Sequence, residues 1–169
     1  MEDNEIFGNL FSNIEIKSGA DPVLRRNTIR QSKEDGVLIH ENARGTLEEN
    51  EIFASGLSGV EIREGANPIV RRNKIHGGEQ NGMLVHLEGK GVIEQNDIYE
   101  NGLTGLEVRT EGAPIVRQNR IHDNTKHGVR IHKKGAGNFE LNELQDNKVS
   151  NWQIDDAGPG LVRDTKDTK

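Results

Sequence analysis

Gly59-Val60-Glu61-Ile62-Arg63-Glu64-Gly65-Ala66-Asn67-Pro68-Ile69-Val70-Arg71-Arg72-Asn73-Lys74-Ile75-His76 is the stretch on which the fold turns. Its apolar residues come in three short alternating runs: Val60 and Ile62, Val70 between Ile69 and Arg71, and Ile75 between Lys74 and His76. Alternation over so few β-branched positions reads as strand. The same phrase returns every 23 residues. Asn73 belongs to the column Asn4, Asn27, Asn50, Asn73, Asn96, Asn119, Asn142, and Ile75 to the column Ile6, Ile29, Ile52, Ile75, Ile98, Ile121, Leu144. Further columns are Ile14 to Trp152, Ile16 to Ile154 and Leu24 to Phe139, with Gly36, Gly59, Gly82, Gly105 and Gly128 in another that Asn13 and Asn151 close. A helical pair needs roughly 33 or more residues per repeat, so three short strands and tight turns are what 23 residues hold.

The expected fold is all-β: a right-handed parallel β-helix of about seven coils, three strands per coil, stacked at roughly 4.8 Å. Equivalent residues then lie above one another. The asparagines are expected to form a buried ladder between the second and third strands, each amide donating to one neighbour and accepting from the other. The glycine column is expected at a turn requiring positive φ. The β-helix domain is placed at residues 1–157, with Trp152 as a lid on the core, and residues 158–169 as a disordered C-terminal tail. Asn4 already lies in a repeat, so the first coil has no cover. This favours a fragment of a longer array or end-to-end self-association.

Composition excludes several classes. The net charge of −6 disfavours a nucleic-acid surface. There is no cysteine, hence no disulfide and no thiolate metal site. No apolar run nears the roughly 20 residues of a membrane span, and Met1-Glu2-Asp3-Asn4 is not a basic-then-apolar leader. A cytoplasmic protein without cofactor or metal is expected. Hydrophobic content of 31% is poor for a globule but compatible with the thin core of a solenoid.

Three outward columns are informative. Arg25, Glu48, Arg71, Glu94, Arg117, Glu140 alternate in sign, which sets register. Lys17, His40, Arg63, His86, Arg109, His132 run beside Glu15, Leu38, Glu61, Leu84, Glu107, Arg130. This is either a solvated face or, through His40, Arg63, His86 and Arg109, a surface for an acidic partner. Histidines of that column are two coils apart, roughly 9.6 Å, too far to share a metal ion. The third column, Phe7, Arg30, Phe53, His76, Tyr99, His122, Gln145, alternates aromatic with basic or polar groups. Phe53, His76, Tyr99 and His122 are candidates for binding a peptide or a sugar. The competing reading packs these rings beneath loops such as 54–58, with Phe11, Leu57, Leu103 and Val149 leaning inward.

Carboxylates for acid–base or calcium chemistry are expected in one cluster that breaks the repeat. Asp21, Asp35, Asp97, Asp123 and Asp146 fall in different columns or at turns, and Asp155-Asp156 stands at the cap without a partner motif. No phosphate loop, nucleophile elbow or HExxH occurs. No catalytic residue is therefore assigned.

The phrases at 59–76 and Ile93-Glu94-Gln95-Asn96-Asp97-Ile98-Tyr99-Glu100-Asn101 resemble the β-helix repeat of certain F-box proteins over roughly residues 2–154. That resemblance implies the substrate-recognition part of a cullin-RING ubiquitin ligase, here without F-box helices or a Cys/His zinc-finger region. The leading expectation is a non-enzymatic protein-binding or scaffold domain with a protein or peptide partner. The alternatives are a carbohydrate-binding or carbohydrate-active β-helix and a structural, self-assembling element.

Overall fold

The computed structural model describes residues 1–163. The expected tail from Asp164 onward lies outside the described residues. Three seven-stranded sheets, all parallel, form the walls of a solenoid. The first sheet runs from Ile14–Ile16 to Ser150–Ile154, the second from Val23–Arg25 to Val162–Arg163, the third from Glu5–Phe7 to Glu143–Gln145. Register is one coil throughout the repeat: Ile52 pairs with Ile75 and Ile75 with Ile98, Val60 with Met83, Val70 with Ile93.

Stacking at constant register forces one chemistry on each inward column. Ile29, Ile52, Ile75, Ile98 and Ile121 are fully buried, as are Leu47, Val70, Ile93, Val116 and Phe139 from the second sheet. At roughly 25 cal/mol per Å² these columns supply most of the drive to fold. At the lower end Trp152 stands edge-on to Phe139, ring centroids 5.4 Å apart. The Arg163 guanidinium lies 4.9 Å from its centroid. The second sheet continues to Val162–Arg163, which pairs with Asn138 and Phe139. Ordered structure thus extends past residue 157 into the stretch expected to be tail, because residues 162 and 163 still find a strand edge to join.

The asparagine ladder forms as expected. Asn27 Nδ2 donates to Asn50 Oδ1 (2.9 Å), Asn50 to Asn73 (2.9 Å), Asn73 to Asn96 (3.0 Å), Asn96 to Asn119 (2.9 Å) and Asn119 to Asn142 (3.0 Å). The same oxygens also accept the backbone N–H of the asparagine one coil before, as Asn96 Oδ1 does from Asn73 at 3.0 Å. The preceding residue explains the need. Arg26, Glu49, Arg72, Gln95, Gln118 and Leu141 all take φ between 51° and 56°. Each such non-glycine turn costs on the order of 1 kcal/mol, and the ladder returns hydrogen bonds to the backbone that this tight turn takes out of the strands.

The glycine column corrects an expectation. Gly36, Gly59, Gly82, Gly105 and Gly128 are absent from the positive-φ residues. They are glycine for want of space: a Cβ on Gly82 would sit 2.6 Å from Ile98 Cγ2 and 2.7 Å from the Gly105 carbonyl oxygen. Asn13 and Asn151 end the column for a different reason from tolerance of positive φ. Asn151 Oδ1 accepts from Asn147 Nδ2 (2.9 Å) and Asn13 Oδ1 from Asn9 Nδ2 (2.9 Å), closing the ends of a second polar column.

Candidate functional site

In a coil of 23, outward residues two apart on one strand sit diagonally across from the same pair on the next. A side chain at i therefore reaches i + 25. A carboxylate stands 25 residues before five of the six histidines, and each pair is in contact: Glu15–His40 at 2.9 Å, Glu51–His76 at 3.4 Å, Glu61–His86 at 3.1 Å, Asp97–His122 at 3.0 Å and Glu107–His132 at 2.8 Å. Carboxylate and histidine columns are thus joined across the coils, a connection that straight columns do not show. The missing step was the diagonal, one coil plus two.

On the third sheet, Phe53, His76, Tyr99 and His122 form one continuous stack. Centroid separations are 5.3, 4.7 and 5.2 Å, with planes within 8° of parallel. Arg30 covers Phe7 at 4.2 Å, extending the column upward. The rings pack on each other and not beneath loops: Phe11 and Val149 are 72% and 65% exposed, while Leu57 and Leu103 are only half-buried. The geometry also changes what the column offers. Inner ring faces are used up by neighbouring rings, so a ligand meets ring edges: the Tyr99 hydroxyl and the imidazole nitrogens.

Tyr99 is where this column breaks its own rule, because the 46-residue alternation places Phe7 and Phe53 in the equivalent positions. It is the chain's one tyrosine. Burial, then the charges of Asp97, Glu51 and Glu100, raise its pKa, so it stays a neutral phenol able to donate a proton. His122 below it is buried, its Nε2 on Asp97 (3.0 Å) and its Nδ1 on Asp123 (2.6 Å). With both nitrogens engaged, His122 is a support. His76 above contacts Glu51 through Nε2 alone, and weakly at 3.4 Å. In register with Asp97 on either side are Lys74 and Arg120, both exposed. Beside the upper end of the stack runs a groove of about 570 Å³, with Gln31, Lys33, Ala54 and Glu79 in its wall.

The other predicted residues do not join this stack: Arg109 ends a strand of the first sheet, and His40, Arg63 and His86 each directly follow one. They form a repeated ionic pattern. Glu61 accepts from His86 and faces Arg63 at 3.3 Å; Glu107 meets His132 and, at 3.6 Å, Arg109. Burial raises Glu61, but the hydrogen bond and charge of His86, with Arg63 and Arg109, outweigh it and hold the carboxyl below its ordinary range. Above it sits Asp35, 4% exposed, pushed up to about 6 by burial and by the charge of Glu61, against the pull of the Ser58 N–H.

A second asparagine ladder was also missed. Asn101 Nδ2 donates to Asn124 (3.0 Å) and Asn124 to Asn147 (2.9 Å). Its column reads Asn9, Ser32, Ser55, Gly78, Asn101, Asn124, Asn147, too mixed above Asn101 to announce itself. Among the described residues no group of three or more His, Asp or Glu is arranged to hold a metal ion, and no helix is long and apolar enough to cross a membrane.

The model of the right-handed β-helix region matches residues 12–165. No curated protein matches the sequence. Among solved structures, the periplasmic alginate epimerase AlgG superposes with a TM-score of 0.81 at 19% identity, over 96% of this chain and 42% of that one. A variant of the same enzyme gives 0.86 at 18%, over 96% and 44%. The A-module of the Azotobacter vinelandii mannuronan C-5 epimerase AlgE4 gives 0.62 at 16%, over 96% and 57%. The chain thus spans about half the length of these enzymes or less, and at such identities the likeness is one of fold. It nevertheless overturns the leading expectation of a non-enzymatic protein-binding or scaffold domain, since the β-helices it matches are carbohydrate-active ones. The β-helix half of the resemblance to F-box proteins stands. Its ubiquitin-ligase half has no support in the matches, nor has a cytoplasmic location, the AlgG structures being periplasmic.

Proposed function

This chain belongs to the right-handed β-helix family, and from that premise we propose that it is a carbohydrate-active β-helix whose third sheet meets a polymer of uronic acid. The observation that carries the proposal is the Tyr99 hydroxyl, set between His76 and His122 in an otherwise repetitive column. The likeness to alginate epimerases supports the substrate class.

Uronate chemistry at C-5 begins with removal of a proton α to a carboxylate. Three things lower that barrier: a cation at the carboxylate, a base at C-5 and an acid for the developing charge or leaving oxygen. Lys74 and Arg120 supply positive charge one coil above and one below Asp97. The His76 imidazole is the base, with Nδ1 unengaged among the described contacts. Tyr99 is the acid. The two stand 4.7 Å apart on one side of any chain lying along the sheet. That arrangement suits elimination across C-4 and C-5, in which proton and leaving oxygen depart on the same side. His76 takes the C-5 proton, the C4–O bond breaks as the C4–C5 double bond forms, and Tyr99 protonates the departing oxygen. Epimerisation shares the first step and returns a proton from the opposite side.

The test is incubation with polymannuronate, polyguluronate and polygalacturonate, read by ultraviolet absorbance for unsaturated ends and by proton NMR in deuterated water for exchange or inversion at C-5. Tyr99→Phe is expected to lower turnover by about 100-fold or more with substrate binding retained. Neither binding nor turnover with any uronate polymer overturns the proposal, as does an unaffected Tyr99→Phe.

A further inference from the structure

The second sheet carries a surface that the proposed activity does not use. Its outward column is Val23, Thr46, Ile69, Val92, Ile115, Asn138 and, on the last strand, Val162. Val23, Ile69 and Ile115 are 48%, 39% and 44% exposed. Such a straight aliphatic row on an otherwise charged chain is unusual for a free surface. Two residues along each strand runs the ladder Arg25, Glu48, Arg71, Glu94, Arg117, Glu140, bonded internally at Arg25–Glu48 (3.0 Å), Arg71–Glu48 (3.1 Å) and Arg117–Glu94 (2.7 Å).

We infer that this face is the contact between two copies of the chain, packed sheet to sheet with their solenoid axes antiparallel. The charge order selects the partner. From Arg25 down to Glu140 the ladder is plus, minus, plus, minus, plus, minus, and Glu2, bridged to Arg25 one coil above, continues the alternation; a two-fold axis set between two coils therefore meets each sign from Arg25 to Glu140 with its opposite. A two-fold axis along the strand direction, passing between Ile69 and Val92, sets Arg25 against the second copy's Glu140 and Arg71 against Glu94, while Glu48, buried and held by Arg25 and Arg71 of its own chain, lies beneath the second copy's Arg117. Every facing pair is opposite in charge, whereas a copy in the parallel sense at the same height would meet like with like. This is the self-complementarity of an isologous dimer.

The aliphatic row closes on itself under the same operation: Ile69 faces Val92, Thr46 faces Ile115 and Val23 faces Asn138. The flanking columns add no clash of charge. Arg26, Glu49 and Arg72 come opposite Leu141, Gln118 and Gln95, and Asp21, Arg44 and Asn67 opposite Ala136, Ala113 and Lys90. Six coils by six residues make a face of roughly 500 Å² on each copy. The pair thus buries about 1,000 Å², the lower bound for a specific interface.

The experiment is sedimentation equilibrium of the wild-type chain and two variants, with circular dichroism melts to confirm that each folds. The wild type is expected to show a monomer–dimer equilibrium. Ile115→Asp, at an exposed position, is expected to weaken the dimer roughly 30-fold without changing the melt. Adding Thr46→Lys to it is expected to restore affinity to within about threefold, through a new facing ion pair. Residues 46 and 115 are three coils apart in one chain, roughly 14 Å, so only the antiparallel dimer brings them together. A chain monomeric up to about 1 mM overturns the inference and leaves the row to another partner. An Ile115→Asp dimer of unchanged affinity, or a double variant that stays dissociated, overturns it as well. So does an open-ended series of oligomers, the signature of end-to-end stacking of coils.

Discussion

Asp35→Asn is expected to stabilise this protein, and to do so only above acidic pH. Asp35 is 4% exposed, and its carboxyl titrates at about 6 against an ordinary 3.8. Folded chains therefore hold a proton that unfolded chains release. The contribution of this residue is most favourable below pH 3.8, declines as pH rises toward 6, and levels off above. The gap of about 2 pKa units corresponds to about 3 kcal/mol at neutral pH. Asparagine removes the ionisation and also has a template two coils on. Asn81 lies in the same column; its Oδ1 accepts the Thr104 N–H at 3.2 Å, as Asp35 Oδ1 accepts that of Ser58 at 2.9 Å. Asn81 Nδ2 donates to Glu107 at 3.0 Å. The residue in the equivalent place below Asp35 is Glu61, so the substitution turns a repulsion into a hydrogen bond. Thermal unfolding followed by circular dichroism between roughly pH 4 and pH 8 measures the difference between variant and wild type. That difference is expected to grow with pH and to reach about 6 to 12 °C above pH 7. A difference that is flat with pH refutes the assignment of a buried, reluctantly ionised Asp35.

Other perturbations probe the stack and the columns. Asn96→Ala removes an acceptor for two bonds from Asn73 and a donor to Asn119 and Val70; a loss of about 3 kcal/mol is expected in urea unfolding. Asn4→Ala, at the exposed end of the same ladder, is expected to cost under about 1 kcal/mol. Gly82→Ala forces a Cβ within 2.6 Å of Ile98 and 2.7 Å of a backbone oxygen. It is expected to destabilise by about 2 kcal/mol or more, whereas Gly8→Ala, with open space around its Cβ but φ of 74°, is expected to cost about 1 kcal/mol. Trp152→Ala uncovers Phe139 and is expected to lower stability by about 3 kcal/mol, read by the thermal midpoint.

The fold was legible because each inward column repeats one chemistry six or seven times, and repetition is what a solenoid core requires. Asn4 to Asn142 and Ile6 to Leu144 needed only a constant spacing to be seen. The glycine column was seen but misread, since letters do not distinguish a backbone that needs positive φ from one with no room for a Cβ. The ionic contacts were invisible for a geometric reason. They run diagonally, from Glu15 to His40 or Asp97 to His122, and a search confined to straight columns separates what the structure joins.

A site on a regular solenoid arises from a small departure from regularity, and this bears on how such chains are read. Phe53 and Tyr99 occupy equivalent positions, yet the added hydroxyl comes with a changed setting: Asp97 where Phe53 has Glu51 one step away is no novelty, but His122 locked by both Asp97 and Asp123 is. His76, two coils above His122, has Gly77 as its next residue where His122 has Asp123, so its Nδ1 keeps no such carboxylate. Two histidines of one column are thereby given different work, one fixed and one available, by a single glycine-to-aspartate difference in the turn. Exchanging that difference, with Gly77→Asp and Asp123→Gly, is expected to engage His76 and release His122. If His76 is the base, turnover of a uronate polymer falls with Gly77→Asp while Asp123→Gly leaves it closer to wild type; the reverse order reassigns the base to His122.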